Sequence, residues 1–229
     1  MKLNWAERWA VNNPLRVIQQ RLEIRWMKKR AALKSGAVVL EVGCGRGAGA
    51  RLILNEFRPS LLHAQDLDMR MIQDARNYLS PEEHKKISLF VGDVFRLPYR
   101  DGALDAVFDF GVLHHVPDWY GVLSEIARIL RANGVFFLEE IYPPLYQNFL
   151  TRAILLHPRE GRFCSQDLKQ GLEKVNLPLE FFLEWERIGI VGVSVKSIFP
   201  QGESQLSPEP ADDGHQRDKG KDQQKIEES

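Results

Sequence analysis

The segment VVLEVGCGRGAG, residues 38–49, constrains this chain more than any other. An apolar, β-branched run passes into Gly43-Cys44-Gly45-Arg46-Gly47, and helix-forming residues follow. Glycines at alternate positions let the backbone turn sharply and keep Cβ atoms out of the way of a ligand. The helix that follows offers its N-terminal N–H groups at the same place. A buried strand that leaves through a helix returns most readily as a parallel neighbour, by a right-handed crossover.

The rest of the chain repeats that rhythm. Apolar runs recur at VVLEV (38–42), LLHAQD (61–66), ISLFV (87–91), LDAVFDF (104–110) and VFFLEE (135–140). Amphipathic stretches at Ala48–Phe57, Met69–Leu79 and Trp119–Leu130 predict helices between them, with Asp68 capping the second. Buried strands separated by helices imply a parallel sheet covered on both faces. Tyr142-Pro143-Pro144 then breaks the pattern. Helical pieces are expected near Leu145–Leu156 and near Gln166–Val175, the latter capped by Ser165. LEFFLEWER (179–187) and IGIVGVSVK (188–196) nearly touch, so only a tight antiparallel hairpin joins them. The expectation is an α/β, three-layer sandwich: a seven-stranded, mostly parallel sheet with a terminal antiparallel hairpin.

Ahead of the sheet, Asn13 and Pro14 read as the cap and first residue of a helix. Leu15, Ile18, Leu22 and Trp26 at helical spacing mark its apolar face, and Gly36 is its expected end. Residues 1–35 carry nine Lys and Arg against Glu7 and Glu23, while residues 201–229 carry eight acids against four bases. That tail has only Leu206 and Ile226 as large aliphatics and no aromatic. It lacks the apolar area to offset about 1–2 kcal/mol per residue of backbone ordering. The expected organisation is an accessory helix or lid over 1–35, a domain over 36–198, and a disordered acidic tail over 199–229.

Of 229 residues, 44% are hydrophobic, enough to build a core. Lys+Arg and Asp+Glu both total 31, so no global basic field marks a nucleic-acid binder. Cys44 and Cys164 make no disulfide framework, and no run approaches a membrane span. The first residues have no apolar signal core, which together point to the cytoplasm.

Asp66 stands at the end of the second run, 23 residues after Gly43. A carboxylate there can accept both hydroxyl protons of a ribose, since Asp68 is the better helix cap. These features leave the cofactor open. Gly43, Gly45 and Ala48 also satisfy the looser dinucleotide form G-x-G-x-x-A.

Further motifs separate the possibilities. Gly92-Asp93-Val94 follows the third run, and the fourth is read as ending in Leu113-His114-His115-Val116. Leu130-Arg131-Ala132-Asn133-Gly134 precedes the fifth. With Glu41-Val42-Gly43-Cys44-Gly45-Arg46-Gly47 and Gln65-Asp66-Leu67, these motifs resemble the class I S-adenosylmethionine-dependent methyltransferases of the small-molecule kind. The resemblance covers about residues 36–196 and departs at Asn133, where that family often has proline. It implies a Rossmann-like fold, S-adenosylmethionine as cofactor, S-adenosylhomocysteine as product and a small-molecule acceptor. It places Gly43, Cys44, Gly45 and Gly47 beside the methionine half of the cofactor, with Glu41 supporting the loop. It assigns Asp66 to the ribose, Leu67 to the adenine face, and Asp93 with the Val94 amide to the adenine edge. Phe110 and Gly111 would face the methionine part.

Chemistry beyond the cofactor is less defined. His114 and His115 are the candidates for a general base, and Glu139, Glu140 and Tyr142, at the end of the fifth run, for substrate contact. No cluster has metal-ligand spacing, and Cys44 as a nucleophile is outweighed by its place in the cofactor motif. The sulfonium methyl is already activated, so a methyltransferase needs alignment and a dry site more than a conspicuous catalyst. A non-catalytic S-adenosylmethionine-binding protein and an NAD-dependent dehydrogenase remain as alternatives. The N-terminal segment typical of quinone-ring C-methyltransferases is not evident in residues 1–35, so that activity is not carried over. The basic front, with Trp5, Trp9 and Trp26, suits a lid, a packed amphipathic helix, or weak contact with an anionic surface.

Overall fold

In the computed structural model, residues 13–146 and 160–197 are described. Both the tail over 199–229 and most of the helical piece expected at Leu145–Leu156 lie outside them.

Helix α1 (Pro14–Arg30) leads into β1 (Val38–Val42), α2 (Ala48–Phe57), β2 (Leu61–Asp66) and α3 (Met69–Tyr78). A single turn, α4 (Pro81–His84), precedes β3 (Ile87–Val91) and β4 (Leu104–Phe110). Helix α5 (Trp119–Ile129) feeds β5 (Leu130–Ile141), followed by the short α6 (Pro143–Tyr146) and by α7 (Ser165–Lys174). The chain closes with β6 (Leu179–Trp185) and β7 (Gly189–Val195). The seven strands form one sheet in the order β3-β2-β1-β4-β5-β7-β6. β1 to β5 run parallel, and β7 inserts antiparallel between β5 and β6. The seven-stranded, mostly parallel sheet, the alternation of strands and helices along the chain, and the closing antiparallel hairpin are those expected from the apolar runs.

Strand side chains alternate between two cores. Leu40, Val42, Val107, Phe136, Leu138 and Ile190 pack with α5 and α7 through Val122, Ile126, Leu168 and Leu172. Val39, Ala106, Phe108, Phe137, Val191 and Val193 pack with α1, α2 and α3 through Ile24, Met27, Leu52, Ile53 and Ile72. Burial on both faces is why the central strands read as continuous apolar runs instead of alternating ones.

Four local expectations are corrected. Helix α1 starts as expected, with Asn13 Oδ1 accepting from the Leu15 N–H at 2.9 Å, but it ends at Arg30, well before Gly36. Ala31 and Leu33 leave the helix to pack on the sheet, and that burial outweighs their helical propensity. Its apolar stripe is also reversed: Leu15, Ile18 and Leu22 are exposed, while Gln20, Ile24 and Met27 are buried. The cap of α7 is Cys164, one residue before Ser165, and its N–H donates to Asp167 at 2.9 Å. Finally, β4 stops at Phe110, and Leu113–His115 forms a 3-10 turn instead of a strand end. Gly111, with φ +89°, breaks the ladder there, and two carboxylates capture the amides that follow.

Candidate functional site

The C-terminal ends of the parallel strands surround a cleft of about 590 Å³. It lies where β1 and β4 are neighbours and their crossovers leave in opposite directions, the usual place for a ligand in an open α/β sheet.

Its floor is the glycine turn, held from the tip of β2. The Gly43 N–H donates to Gln65 Oε1 at 3.1 Å, and the Cys44 N–H to the Gln65 carbonyl at 2.8 Å. Gln65 Nε2 donates to the Gly92 carbonyl at 3.0 Å, so one amide ties the glycine turn to the loop after β3. The Gly45 N–H donates to Asp66 Oδ2 at 2.9 Å, and the Asp68 N–H to Asp66 Oδ1 at 2.8 Å. Asp68 caps α3 by accepting from the Arg70 N–H at 3.0 Å, which is the separation of roles expected for the two aspartates.

The glycines divide their work. A Cβ on Gly43 would strike the Val112 side chain, and one on Gly45 would meet nothing within 4 Å. Both have positive φ, so each suits glycine for its backbone as well. Gly43 therefore admits the β4 loop, and Gly45 leaves an open cradle. Gly47 is not in the cleft wall: a Cβ there would lie 3.2 Å from Ala75 Cβ and 3.4 Å from Leu79 Cγ. The lack of a Cβ there lets the turn pack closely against α3.

Glu41 sits beneath the N-terminus of α2, accepting from the Ala50 amide, in space that Gly49 leaves free. Its Oε2 is buried on the cleft wall with no hydrogen-bond partner. Burial, then the nearby charges of Asp66 and Asp109, raise its pKa well above the carboxylate range. Burial likewise raises Asp66 and pushes the Cys44 thiol up, with Glu41 and Asp66 adding to the second. A thiol held in its protonated form is a poor nucleophile, which agrees with a packing role for Cys44.

Across the cleft stand Leu67, Asp93, Val94, Phe95, Phe110 and Gly111. Asp93 Oδ1 accepts from the Phe95 N–H at 3.0 Å, which fixes the turn after β3. Thus Glu41, Gly43, Cys44, Gly45, Asp66, Leu67, Asp93, Val94, Phe110 and Gly111 converge on one cavity.

The two histidines part company. His115 lines the cleft beside Val112, Val116 and Pro117. His114 is off it, with Nδ1 2.6 Å from Glu140 Oε2 and its ring 4.2 Å from that of His115. Glu140 also accepts from the Leu113 N–H at 2.7 Å and the His114 N–H at 3.3 Å, while Asp109 accepts from the Val112 N–H at 2.8 Å. Burial drives the Glu140 pKa up to about 8 and raises Asp109 well above the carboxylate range, with Glu140 as the next cause for the latter. Two buried carboxylates in contact retain a proton between them.

None of Glu139, Glu140 and Tyr142 lines the cleft. Tyr142 is buried and its hydroxyl donates to Glu184 at 2.6 Å. Glu139 is ion-paired with Arg16, and it is Arg16, with Gln20, that reaches the wall. Arg16 also bonds Glu23 at 3.4 Å. Burial, then Glu139, raises the Glu23 pKa to about 7. Arg16 and Gln20 were missed in the sequence, where the spacing of four that puts them on one helical face was the available signal. Arg46, whose guanidinium lies 5.2 Å from the Tyr78 ring centre, and Gln65 were missed as well. Among the described residues no His, Cys, Asp or Glu group could hold a metal ion.

Residues 40–138 match the family model described as a methyltransferase domain. A fatty-acid O-methyltransferase of Mycolicibacterium smegmatis is 36% identical over 144 residues, covering 61% of this chain and 51% of that protein. A sterol 24-C-methyltransferase of Aspergillus fumigatus is 33% identical over 116 residues, covering 50% of this chain and 30% of that one. The chain thus spans between about a third and a half of these relatives' lengths. Among solved structures, an S-adenosylmethionine-dependent methyltransferase from Aquifex aeolicus superposes with a TM-score of 0.66 at 16% identity, over 85% of this chain and all of that one, a likeness of fold.

Proposed function

We propose that this chain, whose residues 40–138 match a methyltransferase-domain model, is a class I S-adenosylmethionine-dependent methyltransferase and moves a methyl group from S-adenosylmethionine to a small-molecule acceptor. The observation that carries the proposal is the convergence of Asp66, the open Gly45 cradle and Asp93 on one cleft.

The residues present fit that cofactor. Glu41 Oε2 is a buried acceptor on the cleft wall with nothing bound to it, suited to an ammonium group. Asp66 keeps lone pairs beyond its two backbone bonds for a ribose, and Leu67 offers an exposed apolar face for the adenine. Asp93 and the Val94 amide would read the adenine edge. S-adenosylmethionine, when bound, supplies a methyl group on a positively charged sulfur, which needs no further activation.

What remains for the protein is alignment and the exclusion of water. Met71, Phe95, Phe110, Val112 and Val116 supply apolar wall. Helix α1, read from the sequence as an accessory, closes one side with Arg16 and Gln20. Where the acceptor must lose a proton, His115 is the histidine placed to take it. His114 acts as a positioning residue: Glu140 holds its ring and backbone, and so the turn that carries His115.

The acceptor is proposed as a small, largely apolar molecule, in keeping with that wall and with the sterol and fatty-acid acceptors of the relatives. The test is titration calorimetry with S-adenosylmethionine, S-adenosylhomocysteine and NAD, followed by transfer of tritiated methyl to a fatty acid, a sterol and a fractionated cell extract. Tight S-adenosylmethionine binding with transfer supports the proposal. Tight NAD binding instead overturns it, and cofactor binding with no transfer to any fraction favours a binding protein.

A further inference from the structure

Helix α1 has two faces of different character. The inward face buries Gln20, Ile24 and Met27 against the sheet and ties Arg16 to Glu139. The outward face carries Leu15, Ile18 and Leu22, which are 71%, 58% and 63% exposed. Steps of three and four residues place them in one row. Single exposed aliphatic side chains are ordinary, but a row on a helix that already buries its opposite face needs a partner.

The charges around this row are of one sign. Continuing the same spacing, Arg25 and Lys29 follow Leu22, and Arg21 flanks Ile18. The helix has a single acid, Glu23, whose side chain is 11% exposed and bound to Arg16 on the inward side. Arg25 and Lys28 lean toward Glu56 of α2, at 2.9 and 3.9 Å. Arg21 and Lys29 have no carboxylate within bridging distance among the described residues. An apolar row edged by Arg21 and Lys29, with Glu56 of α2 answered by both Arg25 and Lys28, complements a layer with an apolar interior and an anionic surface. It complements a second copy of itself poorly, because pairing would set cation against cation.

We propose that the outward face of α1 binds the surface of an anionic bilayer, with Leu15, Ile18 and Leu22 entering the acyl boundary and Arg21 and Lys29 meeting lipid phosphates. The helix lies flat there. At 17 residues it is about 25 Å long and edged with charge, and no helix among the described residues is long and apolar enough to cross a membrane. The binding is additional to methyl transfer and independent of it, because the cofactor cleft is walled by the opposite face.

The test is co-sedimentation of the full chain with vesicles of phosphatidylcholine alone and of phosphatidylcholine with an equal part of phosphatidylglycerol. Binding is expected on the second, weakening as salt is raised, and little on the first. Leu15→Ser, Ile18→Ser and Leu22→Ser together should weaken it about tenfold or more, as should Arg21→Glu with Lys29→Glu. Equal binding to both vesicles, none to either, or indifference to these substitutions overturns the proposal. So does loss of several degrees of melting temperature in the triple serine variant without lipid, which would show the row covered within the chain. So does a dimer, seen by light scattering, that the serines dissolve. Cofactor affinity should not change in these variants, so failure here leaves the methyltransferase proposal standing.

Discussion

Asp66→Ala separates two things that one side chain does. In the folded chain its carboxylate accepts from the amides of Gly45 and Asp68, at 2.9 and 2.8 Å. Hydrogen bonds to a charged group are worth about 1.5–3 kcal/mol each. Part of that is offset, because burial already disfavours the ionised form and raises the Asp66 pKa. The net loss of stability is expected at about 1–3 kcal/mol. The same change removes the acceptor proposed for the ribose, which should lower S-adenosylmethionine affinity on the order of 10–150-fold. S-adenosylhomocysteine should weaken in parallel, since it shares the ribose. Calorimetry reads the affinities, and thermal melting without ligand reads the fold. Asp93→Ala is the comparison: it should weaken both ligands with less effect on stability, because Asp93 braces only its own turn. The reasoning is refuted if Asp66→Ala melts early yet binds S-adenosylmethionine as the wild type does. Asp66 would then be a brace of the glycine turn and nothing more.

Other consequences are open to measurement. Gly45→Val places a β-branched residue at φ +51° with its side chain in the open cradle, so cofactor binding should be lost while circular dichroism shows the sheet intact. Glu140 has its pKa raised from 4.5 to about 8, so the folded chain holds a proton that the unfolded chain releases. Its contribution is full below pH 4.5 and is lost as pH rises to about 8, at up to about 1.4 kcal/mol per pH unit. Glu140→Gln should flatten that slope in denaturant melts; an unchanged slope assigns it to other groups, Glu23 among them. With an acceptor that must lose a proton, His115→Ala should lower the rate of methyl transfer with little change in cofactor affinity, and His114→Ala should do so only with a loss of stability, through the turn that Glu140 holds.

How much of this was legible in the chain depends on the distance over which each feature is decided. The strands, the helices between them and the closing hairpin follow from apolar runs and their spacing, because a strand buried on both faces must be continuously apolar wherever it lies. The glycine turn, Asp66 and Asp93 were legible for a related reason: a parallel sheet carries its ligand at the strand ends, so position along the chain gives position in the cleft. Asp68 could be told from Asp66 because capping is local.

The end of α1 at Arg30 and the Cys164 cap of α7 are local shifts of boundary, while the larger differences concern which face a residue turns toward a distant partner. Leu15, Ile18 and Leu22 have the spacing of a core stripe, yet the sheet takes Ile24 and Met27, on the side where Arg16 meets Glu139, 123 residues away in sequence. Gly47 looks like its neighbours in the motif but serves the close approach of α3, which only the packing of Ala75 and Leu79 decides. His114 and His115 are adjacent in sequence, and Glu139 and Tyr142 lie three residues apart. Arg16, Glu184 and Glu140 draw three of them away from the cleft and leave His115 in it. Periodicity determines that a face is buried; the long-range ion pairs and hydrogen bonds that determine which one exist only once the sheet has brought their partners together.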